Sequence, residues 1–261
     1  MRRATARRRR ARANIPVLRT SPETRRSPGS VKRRKHAPFV FEAHMASTSV
    51  LYIDVWSDFV CPFCYLETPV LDQFRNAYGD AVEIRWHAFE LRPEPTPLVD
   101  PNSEQIVESW EKSVRPLAEE RGVTMRMPPV APRSRKAFET AMFARESGRY
   151  DLVHRAIFKA YFEEGIDIGD TDALLDIAAT CGVDPELLEE ALDDGTYTDL
   201  VIEDEEFAKK LGVTGVPFAV LSREPAPGQE PPPPIALRGA APIQHFEAAV
   251  ERLFPDGFPG A

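Results

Sequence analysis

The sequence predicts an α/β fold in which a β-α-β unit and a later β-β-α unit build one domain, with an all-helical domain inserted between them. Three observations predict it. Runs rich in β-branched and aromatic residues occur at Leu51–Trp56 (LYIDVW), Val82–Phe89 (VEIRWHAF) and Phe218–Ser222 (FAVLS), as buried strands require. The first two runs are separated by a helical apolar pattern. From about Ser103 to Leu211 the spacing is helical throughout.

In chain order, SDFVCPFC follows the first strand, and Leu66, Val70, Leu71 and Phe74 then mark a helix from about Tyr65 to Tyr78. Gly79-Asp80 closes it with the glycine that a left-handed C-terminus favours. After the second strand the prolines of RPEPTPLVDPN break regular structure. SEQIVESWEKSV opens a helix that Pro116 kinks or divides. SRKAFETAMFARESG, DLVHRAIFKAYFEEG and TDALLDIAATCG supply three more helices. DPELLEEALDDG carries Asp184 as N-cap and Pro185 in its first turn, and YTDLVIEDEEFAKKLG ends the insertion. The strand FAVLS, a proline-rich surface loop (EPAPGQEPPPP), the short strand IALRGA and an amphipathic helix, PIQHFEAAVERLF, complete the chain. The expected organisation is a basic extension over 1–45, an α/β domain over 46–98 and 212–258, and a helical insertion over 99–211.

Charge separates the first segment from the rest. Of 33 Lys and Arg residues, 14 lie in residues 1–45 beside only Glu23 and Glu42, leaving 19 basic against 39 acidic residues in the remainder. The whole-chain value of −8 therefore hides a strongly acidic body, which repels phosphate backbones and excludes nucleic acid as its partner. The extension reads as a polybasic disordered arm, as an Arg-rich targeting segment, or as residues upstream of a true start at Met45. It has no apolar run of signal-peptide length, and no stretch approaches the ~18 apolar residues of a membrane span. Cytoplasmic residence without a membrane partner is the expectation.

The chemistry centres on Cys61 and Cys64. Three cysteines are too few to staple a chain of 261 residues, and a C-x-x-C pair where strand gives way to helix suits catalysis. A thiolate is the nucleophile in disulfide exchange, so the attacking cysteine needs exposure and an environment that favours its anion. Cys61 falls at the helix start, where unpaired N–H groups and the macrodipole favour negative charge. Pro62 fits the first turn. Cys64, one turn on and more shielded, is placed to resolve a mixed disulfide. Half of a zinc site has the same spacing, but the remaining candidates, Cys181, His87, His154 and His245, are scattered; an inert buried pair is the other alternative. The second signal is Val216-Pro217 in GVTGVPFAV. A proline here wants an edge, a bulge or a cis turn, and a cis turn facing the cysteines would free the Val216 backbone for an extended substrate; an ordinary proline at the start of a strand is the alternative.

From Val50 to Phe254 the stretches SDFVCPFCY, FELRPEP, GVTGVPFAV and RGAAPIQHFEAAV resemble the DsbA-like thioredoxin-fold oxidoreductases, in particular their FrnE-like branch. The element order matches: a thioredoxin fold with an inserted all-helical domain. The resemblance implies that Cys61 is the nucleophile, Cys64 its resolving partner, Pro217 a facing cis-proline, and that Pro62, Phe63 and Val216 bound the substrate site, with the insertion covering it. It implies no cofactor beyond a redox-active Cys61–Cys64 disulfide, with glutathione a candidate co-substrate, thiol or disulfide substrates of protein or small-molecule kind, and a reductant for recycling. Two departures stand out. Relatives place a buried acid in the first strand as a proton relay, yet the corresponding position here is Val55, leaving Asp54 a weak candidate. Phe63 also replaces the His or Trp found between the cysteines of relatives. The superfamily contains glutathione-dependent enzymes of the 2-hydroxychromene-2-carboxylate isomerase type, which have no use for a resolving thiol. That activity, and a non-catalytic binding or chaperone module, are the rival functions.

Other residues read as structural. Cys181 lies on an apolar stripe. His87 satisfies a local hydrogen bond. Trp56 and Phe59 either line a groove or pack, and Glu203–Glu206 form a solvated face.

Overall fold

A computed structural model describes residues 51–225 and 230–258; the expectations for the basic extension, and those for residues 226–229 of the proline-rich loop, lie outside them. Strand β1 (Leu51–Ser57) is central. It pairs in parallel with β2 (Val82–Ala88) and antiparallel with β3 (Phe218–Arg223), which pairs antiparallel with β4 (Ile235–Arg238), giving the order β2-β1-β3-β4. A parallel pair needs a crossover, and α1 (Pro62–Tyr78) supplies it. Alternation divides the side chains of β1. Leu51, Ile53 and Val55 face α1 and the C-terminal helix (Ile243–Leu253), packing against Val70, Leu71, Phe74, Phe246 and Val250. The register puts Asp54 and Trp56 beside Arg85 and His87 on the opposite face.

Helix α1 starts earlier than its apolar spacing suggests, because Pro62 occupies its first turn, where a missing N–H costs nothing. A second proline, Pro69, sits inside this helix. It cannot donate to the Tyr65 carbonyl one turn back; the Thr68 hydroxyl donates to that oxygen instead, at 2.7 Å.

The helices of the insertion lie between β2 and β3. Helices α2 (Glu104–Ser109) and α3 (Arg115–Glu120) form one continuous run joined by a π turn at Trp110–Val114. The widened turn lies just before Pro116, whose ring and missing N–H an ordinary α turn would not accommodate. Then come α4 (Arg135–Glu146) and α5 (Tyr150–Lys159), which runs into a second π turn at Ala160–Glu164, followed by α6 (Thr171–Thr180), α7 (Pro185–Asp193) and α8 (Thr198–Lys210). Asp184 caps α7 as expected, accepting from Glu186 N–H at 3.0 Å and Leu187 N–H at 3.3 Å. The C-terminal helix is α9. Among the described residues, no helix is long and apolar enough to cross a membrane.

A second core joins the insertion to the cysteine segment. Phe59, Phe158 and Phe162 are fully buried there, with Cys61, Cys64, Leu66, Trp110 and Phe138 in the same cluster. Each such ring contributes about 1.5–3 kcal/mol, so the insertion is held over α1 by close packing.

Candidate functional site: a cysteine pair under the helical insertion

Cys61 is the N-cap residue of α1, with extended backbone and no side-chain capping bond. Its carbonyl accepts from Cys64 N–H at 3.1 Å and Tyr65 N–H at 3.3 Å, closing the first helical turn. As N-cap, Cys61 lies at the positive end of the α1 macrodipole. Its thiol donates to the Val216 carbonyl at 3.6 Å, and the peptide that follows, Val216–Pro217, is cis. Pro217 immediately precedes β3, and its carbonyl accepts from Gly239 N–H at 2.9 Å. Pro62 and Phe63 are half-buried, and Phe63 and Val216 pack against the core beneath the insertion. The fold thus brings Cys61 and Val216, 155 positions apart, into contact.

Exposure differs from the expectation. Cys61 is only 4% exposed and Cys64 1%, because the insertion closes over the segment that an unadorned β-α-β unit would leave open. Both are free thiols. Burial and the adjacent Cys61 thiol push the Cys64 thiol well above the ordinary cysteine range; Asp58 N–H and the Ser57 hydroxyl act the other way. Asp58 N–H donates to Cys64 Sγ at 3.5 Å. Cys64 therefore holds its proton more tightly than an ordinary cysteine does. Among the described residues, no three His, Cys, Asp or Glu side chains gather as metal ligands.

Asp54 takes no part in this site. It faces His87, whose Nε2 lies 2.9 Å from Asp54 Oδ1 and whose Nδ1 lies 2.9 Å from Asp204 Oδ1. Burial disfavours the charged imidazole, but the hydrogen bonds and charges of Asp204 and Asp54 outweigh it and push His87 up to about 9. The imidazolium is a clamp between the sheet and α8, stacked on Trp56 at 4.7 Å. Trp56 and Phe59 pack within the fold, Phe59 against Phe138, His154 and Phe158. Cys181 is half-buried at the end of α6.

The expected solvated face at Glu203–Glu206 is corrected. Asp204 and Glu205 turn inward: Asp204 Oδ2 accepts from Ala88 N–H at 3.0 Å, and Glu205 Oε1 from Glu90 N–H at 3.1 Å. The spacing Val201, Glu205, Ala208 places Glu205 on the buried face of α8, the signal that could have revealed it. Glu205 joins a cluster missed in the sequence: Asp58, Glu90 and Arg135. Arg135 pairs with Glu90 and lies 4.0 Å from Glu205. Burial pushes Asp58 up to about 6, against hydrogen bonds from Leu91 N–H, the Ser134 hydroxyl and Val60 N–H. Burial likewise raises Glu90 to about 7, against its pairing with Arg135.

Known proteins share this architecture. The family model described as the DsbA-like thioredoxin domain matches residues 52–251. The uncharacterized protein YwbO of Bacillus subtilis (strain 168) is 34% identical over 182 residues, 68% of this chain and 90% of that one. Among solved structures, the probable DsbA oxidoreductase SCO1869 from Streptomyces coelicolor aligns with a TM-score of 0.65 at 23% identity, covering 80% of this chain and 92% of that one. A 2-hydroxychromene-2-carboxylate isomerase aligns with a TM-score of 0.61 at 19% identity, covering 78% and 97%. With the family model spanning nearly all the described residues and the sheet order, helical insertion and cysteine-bearing helix in place, this chain belongs to the DsbA-like thioredoxin-domain family.

Proposed function

We propose that the protein is a thiol–disulfide oxidoreductase in which Cys61 attacks and Cys64 resolves. The observation that carries this reading is the contact of the Cys61 thiol, at the N-terminus of α1, with the carbonyl of Val216. Ionisation removes the proton that makes that contact, so formation of the Cys61 thiolate releases the Val216 carbonyl to accept from a backbone N–H of an extended substrate. Pro217, Pro62 and Phe63 bound the same edge. The thiolate attacks one sulfur of the substrate disulfide; the S–S bond breaks, and the first substrate thiol leaves. Cys64 then attacks Cys61 Sγ of the mixed disulfide, releasing the second thiol and leaving the Cys61–Cys64 disulfide. A thiol reductant, glutathione or a dithiol in a reducing compartment, restores the pair.

The asymmetry of the two sulfurs supports this division of labour. The buried, proton-retaining Cys64 waits until a bond on Cys61 brings an electrophilic sulfur within reach. Substrates are proteins or small molecules carrying disulfides. The strongly acidic body favours neutral or basic ones over acidic ones.

The test is reduction of insulin and of glutathione disulfide with a recycling reductant, by wild type, Cys61→Ser and Cys64→Ser. The expected result is turnover by wild type and loss of it in both variants. Glutathione-dependent isomerisation of an aromatic substrate that survives Cys64→Ser, with no disulfide turnover by wild type, would overturn the assignment.

A further inference from the structure

We propose that Asp58 is a positioning residue for the resolving step: its carboxylate fixes the turn before α1 so that its own backbone N–H supports Cys64 Sγ as that sulfur becomes the attacking thiolate. The inference rests on the redox reading above. Asp58 is fully buried and is held on every side. Oδ1 accepts from Val60 N–H at 3.2 Å and Oδ2 from Leu91 N–H at 2.7 Å, with the Ser134 hydroxyl also bonded to the carboxylate. Its carbonyl accepts from Cys61 N–H at 3.0 Å. The first contact closes the turn Asp58–Val60; the second ties it to the segment after β2, next to the Phe89 N–H bond to Ser57 O at 3.1 Å. With the side chain and carbonyl so fixed, the remaining polar group of Asp58, its N–H, donates to Cys64 Sγ at 3.5 Å.

A smaller or neutral residue could cap a turn at less cost than a carboxylate without solvent. What only a carboxylate does here is accept from two N–H groups on opposite sides. An asparagine would present its NH2 to one of them. The charged groups around it are Glu90, and Glu205 of α8, both facing Arg135 of α4, and the Glu205 charge disfavours ionisation of Asp58. Resolution needs this support because Cys64 is the sulfur that burial holds in the thiol form. As it loses its proton to solvent and attacks Cys61 Sγ, the Cys61–substrate bond breaks and the substrate sulfur leaves with the electron pair. A hydrogen bond to the developing thiolate acts on this step and not on the first attack by Cys61.

Single-turnover reaction with dithiobis(nitrobenzoate) separates the two steps, because each releases one coloured thiolate. In a Cys181→Ser background, Asp58→Asn is expected to leave the first phase within about two-fold and to slow the second by about ten-fold or more, the scale of a hydrogen bond to a charged group. Ser134→Ala, which leaves both backbone donors in place, slows the second phase by a smaller factor and keeps the test open should Asp58→Asn fail to fold. Equal slowing of both phases, or an unchanged second phase in the folded variants, would overturn the proposal. Absence of a first phase in the parent protein would instead overturn the redox reading itself.

Discussion

Glu67 offers a quantitative probe of the helix that carries the cysteines. Its side chain is 1% exposed, and neither carboxyl oxygen has a hydrogen-bond partner among the described residues. The nearby Arg121 guanidinium donates instead to the carbonyls of Leu66, at 2.6 Å, and of Ala240 and Ala241, at 2.9 and 3.1 Å. Burial therefore pushes Glu67 up to about 8, with the Arg121 charge acting the other way. A carboxyl raised on folding keeps a proton that the unfolded chain gives up, so its cost begins as pH rises past about 4.5 and levels off above about 8. At pH 7 the gap is about 2.5 pH units, or roughly 3 kcal/mol at about 1.36 kcal/mol per unit. Replacing it with glutamine removes that cost but buries an amide that itself wants partners, a penalty of about 1–2 kcal/mol. Glu67→Gln should thus stabilise the protein by about 1–2 kcal/mol at pH 7 and by more at pH 8.5, with no gain at pH 4. The assay is denaturant unfolding of both proteins across that range, taking the difference so that other titrating groups cancel. A difference that does not grow with pH, or one that favours wild type at pH 8.5, would mean that Glu67 is not a buried carboxyl whose ionisation destabilises the fold.

Other perturbations test separate parts of the structure. The His87 clamp has a raised folded value, so its contribution is complete below about 6.5 and is lost as pH rises through about 9. His87→Gln should cost about 2–3 kcal/mol at pH 6 and little at pH 10, measured by urea unfolding at the two values. Phe59→Ala opens a cavity between the cysteine turn and the insertion and should cost about 3–5 kcal/mol, read as a lower denaturation midpoint. Tyr65→Phe removes the phenol's bond to Glu163 while keeping the ring stacked on Phe158 and Phe162. Its cost should be about 1 kcal/mol by the same measurement, since half-buried Glu163 regains water.

The frame was legible because periodicity and punctuation are local. LYIDVW, the 3.6 spacing of α1, Asp184 before Pro185 and the return of strand sequence after Leu211 each carry their own signal. The cysteine pair was legible for the same reason, being four consecutive residues. The buried polar cluster was not, because Asp58, Glu90, Arg135 and Glu205 come from four distant segments and meet only when α4 and α8 pack against the ends of β1 and β2. Glu205 was hidden by its neighbours: a run of acids looks solvated until helical spacing shows that one of them shares a face with Val201 and Ala208. Glu67 is disguised in the same way, standing four and seven residues before Leu71 and Phe74 on the buried face of α1. The burial of Cys61 depends on how the insertion closes, which no local pattern encodes.

Trapping the covalent intermediate shows which of the two sulfurs attacks. Cys64→Ser incubated with glutathione disulfide, then analysed by intact mass and peptide mapping, should carry one glutathione on Cys61, stable without added thiol, while Cys61→Ser carries none on Cys64. Modification of Cys64 in Cys61→Ser as fast as that of Cys61 in Cys64→Ser, or no adduct on Cys61 at all, would rule out Cys61 as the attacking sulfur.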